Sequence, residues 1–170
     1  MLELGKSGSH GTERGTVPVL RDGAVVATLR ASNWKESATA VVDGQQWVLG
    51  RRKRELTARW AAEPEDAVRF RAWQTSGWKG TWAADLAGTP VEVRNLSLWK
   101  GTHRYLVAGR VVAESGTVGA LSPRPTLTGD ESLPLDQQVF LLWVELVIGR
   151  RNMAMTAGIA AGGAAVAGGN

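Results

Sequence analysis

Between Thr16 and about Thr128 the chain alternates apolar and polar residues in short runs broken by turn residues. Alternation puts successive side chains on opposite faces, the period of a half-buried β-strand. Val17–Arg21 and Ala24–Ser32 flank Asp22-Gly23, and Ser37–Val42 and Gln45–Gly50 flank Asp43-Gly44. Asp-Gly between two such runs predicts a two-residue hairpin, because both positions need positive φ. The pattern continues through Glu55–Ala62, Val68–Trp73, Lys79–Leu86, Thr89–Leu96, His103–Ala108, Arg110–Glu114 and Thr117–Leu121, with Ala87-Gly88 as a third hairpin turn. In Val68–Trp73, one face carries Val68, Phe70 and Ala72 and the other Arg69, Arg71 and Trp73. This predicts about eleven short antiparallel strands, closed as a sandwich or barrel. Trp34, Trp47, Trp60 and Trp73 recur at a constant interval, which reads as one large core residue per strand and turn.

The last patterned stretch differs. Val139–Ile148 is apolar except for Glu145. At 3.6 residues per turn, about ten consecutive apolar residues cover every side of a helix, so a helix over 133–151 has no solvent face. A membrane span needs about 20 apolar residues. This run is half that, and Gly149-Arg150-Arg151-Asn152 closes it. Ser132 as N-cap, Pro134 and Asp136 in the first turn and two arginines at the end suit a helix ending in water. A buried core helix is expected, with Val139, Phe140, Leu142, Trp143, Leu146 and Val147 packed inside. An eight-stranded barrel is filled by its own side chains. One of about 11–12 strands can hold a helix about 10–12 Å across. The expected fold is therefore mainly β: a closed antiparallel barrel of about 11–12 strands around a buried C-terminal hydrophobic helix.

Length and composition refine this picture modestly. The chain has 170 residues, no cysteine and a net charge of +4. One domain over 16–151 is expected, between a flexible Gly/Ser-rich arm at 1–15 and a flexible Ala/Gly-rich tail at 152–170. No disulfide, thiolate metal site or Cys nucleophile can form. The N-terminal residues lack an apolar h-region, so a cytoplasmic location, peripheral to the membrane if lipid is bound, is expected. Gly5-Lys6-Ser7 lacks the earlier glycine and preceding strand of a phosphate-binding loop.

The densest charge cluster is Arg51-Arg52-Lys53-Arg54, between two predicted strands. A turn there would project it into water, where it could meet phosphates or anionic headgroups; it could equally be a solvated turn that discourages edge pairing. Arg69 and Arg71 share a strand face and could extend the patch, as could Lys79, Lys100 and Arg104. Trp73, Trp78, Trp82 and Trp99 lie near these lysines and would suit a membrane interface if exposed at a rim, or barrel packing if not. His10 and His103 make no metal site of familiar spacing, and no catalytic set can be assembled. Glu145 should accept hydrogen bonds from inward-facing Trp, Tyr or Arg, or line an internal polar pocket.

The early hairpin Val19–Arg30, the Asp43-Gly44 hairpin with Trp47 and the closing Phe140-Leu-Leu-Trp-Val144 helix together resemble the tubby C-terminal-like superfamily, which includes the LURP-one-related proteins and the phospholipid scramblases. The resemblance covers roughly Val17–Arg151. It implies a twelve-stranded barrel around a C-terminal helix, and in tubby itself phosphoinositide binding through basic residues on the barrel. Scramblases also carry a palmitoylated cysteine cluster and a Pro-rich arm, which this chain lacks, so scrambling is not carried over. The expected function is a non-enzymatic binding or scaffold module for anionic phospholipid, with no cofactor, through Arg51, Arg52, Lys53, Arg54, Arg69 and Arg71. The alternatives are a β domain anchored in the membrane by 139–168 and a barrel binding a small ligand. Nucleic acid is a minor expectation, since no recognition motif is present.

Overall fold

A computed structural model of the protein describes residues 1–32, 36–76, 81–97, 101–119 and 122–163. Twelve strands precede one helix: β1 (Leu2–Leu4), β2 (Val17–Arg21), β3 (Ala24–Ala31), β4 (Ser37–Val42), β5 (Gln45–Arg52), β6 (Glu55–Trp60), β7 (Phe70–Ser76), β8 (Thr81–Leu86), β9 (Thr89–Ser97), β10 (Thr102–Val107), β11 (Arg110–Val118), β12 (Arg124–Gly129) and α1 (Leu135–Gly163). Each strand pairs with its sequence neighbours, and β1 closes the barrel by pairing with both β12 and β2. Every pairing is antiparallel, so connections alternate between the two ends. The end where α1 begins is here the inlet end; the other, where it leaves, is the exit end.

Four of the inlet-end connections are tight turns, and the connection 61–69 between β6 and β7 is a longer loop. Asp22-Gly23, Asp43-Gly44, Ala87-Gly88 and Ala108-Gly109 all have two successive positive φ values. That is the type I′ geometry matching the right-handed twist of the flanking strands. The two Asp-Gly hairpins and the Ala87-Gly88 hairpin follow the sequence prediction.

The barrel holds α1 in its interior. Val139–Val144, Val147 and Ile148 are buried, as expected, and join the inward residues of the strands in a single core. Leu146 is only partly buried. Room for the helix comes from small inward side chains. Ala38, Ala40, Ala58, Ala72, Ala84 and Ala113 are buried in the wall, while the helix supplies Phe140, Leu141 and Trp143. Larger aromatics bridge wall and helix: Trp47 stacks on Phe70 at 4.9 Å, Phe70 meets Phe140 at 5.6 Å, and Phe140 meets Trp143 at 6.1 Å between ring centroids. Such pairs add about 0.5–1.5 kcal/mol each beyond area burial.

Five expectations are corrected, the last of them the reading of Trp73 as a core residue. Residues 1–15 are not wholly an arm: Leu2 and Leu4 are buried and Glu3 points outward, a strand too short to show as a pattern. Arg110–Val118 is one strand through Gly116, and Arg124–Gly129 replaces the strand expected at Thr117–Leu121, despite Pro125. Gly116 faces Thr126, whose Oγ1 would lie 2.8 Å from an added Cβ, so a close strand approach explains that glycine. Helix α1 continues to Gly163, well into the stretch read as a flexible tail. Ser132 is not the N-cap. Its hydroxyl accepts a hydrogen bond from Arg110, and the Pro134 carbonyl accepts the Gln138 amide instead. Trp47 and Trp60 face each other across β5 and β6 inside the wall, whereas Trp73 points outward; Trp34 lies outside the described residues.

Truncating the buried Trp143 should destabilise the fold by about 3–5 kcal/mol. Val25→Ala, at an exposed position of β3, should stay within about 0.5 kcal/mol. Urea unfolding of the two variants checks the pair; equal midpoints would mean that the helix is not enclosed.

Candidate functional site

Two polar features stand out: a closed network inside the barrel and a basic surface at the exit end. Inside, Glu145 on α1 meets His103 and Tyr105 on β10. His103 Nδ1 lies 2.9 and 3.1 Å from the two carboxylate oxygens, and the Tyr105 hydroxyl donates to Oε1 at 2.5 Å. All three residues are buried. The Ser115 hydroxyl accepts the His103 amide at 2.7 Å. The expectation that Glu145 accepts from an inward tyrosine holds, and Tyr105 is the chain's only tyrosine. The partnership with His103 was missed. Its signal was the two-residue spacing of His103 and Tyr105, which puts both on one face of a strand. The network anchors the helix axially, because a carboxylate buried without partners would cost several kcal/mol.

At the exit end, α1 leaves the barrel between Arg150 and Arg151. Arg150 donates to the Ser32 carbonyl at 3.1 Å, and Arg151 grips Glu36 through two hydrogen bonds of 2.5 and 2.6 Å. Arg151 also lies 5.2 Å from the ring centroid of Trp82, which points into the core. Glu36 reaches Arg51 as well, at 3.6 Å. The Arg151 hydrogen bonds, reinforced by attraction to Arg51, hold the Glu36 carboxyl below its ordinary range against the opposing effect of burial. The β5–β6 turn therefore sits beside the helix exit. There Arg51, Arg52, Lys53 and Arg54 are all exposed, and Lys53 takes a positive φ of 56°. Arg52 donates only to a backbone carbonyl, and among the described residues Lys53 and Arg54 have no ion-pair partner.

The remaining predicted residues are not brought together with this turn. Arg69 lies toward the inlet end, hydrogen-bonded twice to Glu63, with its guanidinium 3.3 Å from the Trp60 ring centroid. Arg71 and Arg69 both line a groove of about 550 Å³ on the outer wall, as their shared face predicted, together with Glu55, Trp73 and Asp85. Carboxylates on both sides make that groove a poor place for an anion. Arg104 is bound to Glu114 at 2.6 Å. Lys79, Trp78, Trp99 and Lys100 lie outside the described residues.

Charge divides between the two ends. Asp22, Asp43, Asp85, Asp130, Glu131 and Asp136 cluster at the inlet end, and the arginines there are committed: Arg21 to Gln138, Arg59 to backbone carbonyls, Arg69 to Glu63, Arg110 to Ser132 and Asp130. At the exit end Glu13 and Glu36 are themselves paired with arginines, Glu55 follows the β5–β6 turn directly, and the four cations of that turn outnumber these three acids. Such separation gives the barrel a field along its axis that attracts anions to the exit end. Among the described residues no group of three His, Asp or Glu side chains could hold a metal ion, and no helix is long and apolar enough to cross a membrane.

Comparison of the chain with family models, with curated proteins and with solved structures finds no match. Fold and site therefore rest on the residues themselves.

The Glu145 network predicts a sharp alkaline limit. Burial, and next the Glu145 charge and hydrogen bond, push the Tyr105 hydroxyl well above its ordinary value of 10.0. Below that value both folded and unfolded chains keep the proton, so the contribution to stability is complete. Above it the unfolded chain releases the proton first, and stability falls as pH rises. With one tyrosine in the chain, phenolate absorbance should appear together with unfolding rather than before it. A phenolate signal from the folded protein near pH 10 would refute the enclosed network. Glu145→Ala, which strands His103 and Tyr105, should cost about 3–5 kcal/mol in urea unfolding.

Proposed function

We propose that this chain is a non-enzymatic binding module that recognises anionic phospholipid headgroups, phosphoinositides included, through the exit end of its barrel. The reading is that of a tubby-like protein acting at the cytoplasmic face of a membrane. The twelve-stranded closed barrel and its buried C-terminal helix support the resemblance carried by the early hairpins and the Phe140–Val144 stretch. The observation that carries the functional part is the Arg51–Arg54 turn, an exposed cluster of cations beside the helix exit. Basic residues near an anionic surface contribute about 1 kcal/mol each. Arg52, Lys53 and Arg54 have no carboxylate to release first among the described residues, so their attraction is available to a ligand. Arg69 and Arg71 have no part in this reading, being held by Glu63 and flanked by acids respectively. An anchor formed by 139–168 would require Val139–Ile148 to leave the core in which they are buried.

Flotation of the purified chain with vesicles tests the reading. Vesicles containing phosphatidylserine should carry the protein at 0.1 M salt and release it at 1 M, where the Debye length falls from about 10 to 3 Å. Vesicles of phosphatidylcholine alone should not carry it. Replacing Arg51, Arg52, Lys53 and Arg54 by alanine should weaken partition by roughly a thousandfold. Unchanged flotation of that variant would sink the proposal.

A further inference from the structure

Helix α1 does not stop where the barrel wall stops. Its buried stretch ends at Ile148, and Arg150 and Arg151 fasten it to the β3–β4 side of the rim. It then continues to Gly163, about 18 Å past Arg151 at 1.5 Å per residue. Asn152, Met153, Ala154, Met155 and Ala157 are exposed there. Met153 and Met155, at 60% and 68%, are the most exposed large apolar side chains among the described residues. A third exposed apolar residue, Leu96 at 45%, lies near the exit-end limit of β9. Single exposed apolar residues are ordinary on a protein surface. Val25, Val41 and Val111 stand singly on strands near the inlet end, whereas Met153, Met155 and Leu96 stand on the end that also carries the unneutralised cations.

The projection and the basic turn are mechanically one unit. Glu36 bonds Arg151 at the root of the projection and reaches Arg51 in the β5–β6 turn. The heights of the groups are graded: arginines at the level of the rim, Met153 about 3 Å and Met155 about 6 Å further along the helix. An interfacial helix places its cations at the phosphates and its apolar side chains about 5–10 Å into the headgroup and acyl boundary. The order here is the same. The described helix is too short and too weakly apolar to span.

We infer that the continuation of α1 beyond Arg151 is the apolar half of a membrane-facing surface whose polar half is the Arg51–Arg54 turn, so that the barrel docks end-on upon an anionic bilayer with its exit end toward the lipid. This rests on the anionic-lipid reading and adds to it an orientation and a committed ligand. The ligand is a bilayer surface, because a free headgroup phosphate would satisfy the arginines and leave Met153 and Met155 in water. Positive charge beside the projection selects an anionic surface over a neutral one. It also disfavours a second copy of the same end, since like charges would face each other.

The absence of cysteine allows a direct test in the full chain. Met155→Cys, labelled with the environment-sensitive dye NBD, should shift to the blue and brighten severalfold with phosphatidylserine vesicles, and be quenched by brominated acyl chains. Val25→Cys, exposed on the first residues of β3 at the inlet end, should do neither. Met153→Gln with Met155→Gln, which removes apolar surface without adding charge, should lower partition to those vesicles roughly tenfold. The same variant should leave the unfolding midpoint and the binding of soluble inositol hexakisphosphate unchanged. If the protein floats while the label at 155 stays in water, the end-on inference falls and the headgroup reading stands. A label that responds only to rising protein concentration assigns the projection to a second copy, and also overturns it. If the wild-type chain does not float at all, the underlying lipid reading fails first.

Discussion

A helix with no face for water can exist only if something encloses it, and the rest of this molecule answers that demand. Val139–Ile148 presents apolar side chains on every side. The twelve strands provide a lumen, and the alanines of the wall leave space for Phe140, Leu141 and Trp143 to fill. The enclosure explains why the polar exception in the helix is fully partnered. Glu145 could not be held there unpaired, so His103 and Tyr105 turn inward from one strand to meet it.

Threading also makes the two ends of the barrel unlike. Strands in strict antiparallel order send alternate connections to opposite ends. The inlet end carries four two-residue turns with positive φ, two of them Asp-Gly, and further acids lie beside them at Asp85, Asp130, Glu131 and Asp136. The exit end must let the helix out. Arg150, Arg151 and Glu36 form a collar there, and the basic β5–β6 turn adjoins it. An axial charge separation follows, with acids beside the turns at one end and the basic turn beside the helix exit at the other. It is the physical ground of the proposed docking of the exit end on an anionic surface.

Much of the fold was legible in the residues. Asp-Gly and Ala-Gly turns fixed hairpin positions, alternation gave the correct faces over Phe70–Trp73 though not at Val68, which lies before the strand and lines the outer groove, and the length of the apolar helix argued for a wide barrel. The errors have common physical causes. Leu2–Leu4 is too short for a period to show, and it becomes a strand only because β2 and β12 supply hydrogen bonds on both sides. Pro125 hid β12, since proline argues against a strand except where its missing amide is not needed. The extension of α1 was hidden by its glycines, which lower helix propensity, whereas a helix already nucleated inside the barrel propagates cheaply. The candidate site was read in part. The 51–54 cluster lies on an exposed turn as expected, but Arg69 and Arg71 share its strand neighbourhood without sharing its end.

By itself the sequence determined strand periodicity, turn positions, the need to enclose one helix and the existence of a dense basic turn. These are local properties, set by side-chain spacing and backbone preference within a few residues. Tertiary structure decided which groups meet. His103 finds Glu145 across forty-two residues, and Glu36 joins Arg51 to Arg151 across more than a hundred. Closure of the barrel brings those partners within bonding distance, and no local pattern encodes it. The Arg69–Glu63 pair, by contrast, is made within the single connection between β6 and β7, while Lys53 and Arg54 face water.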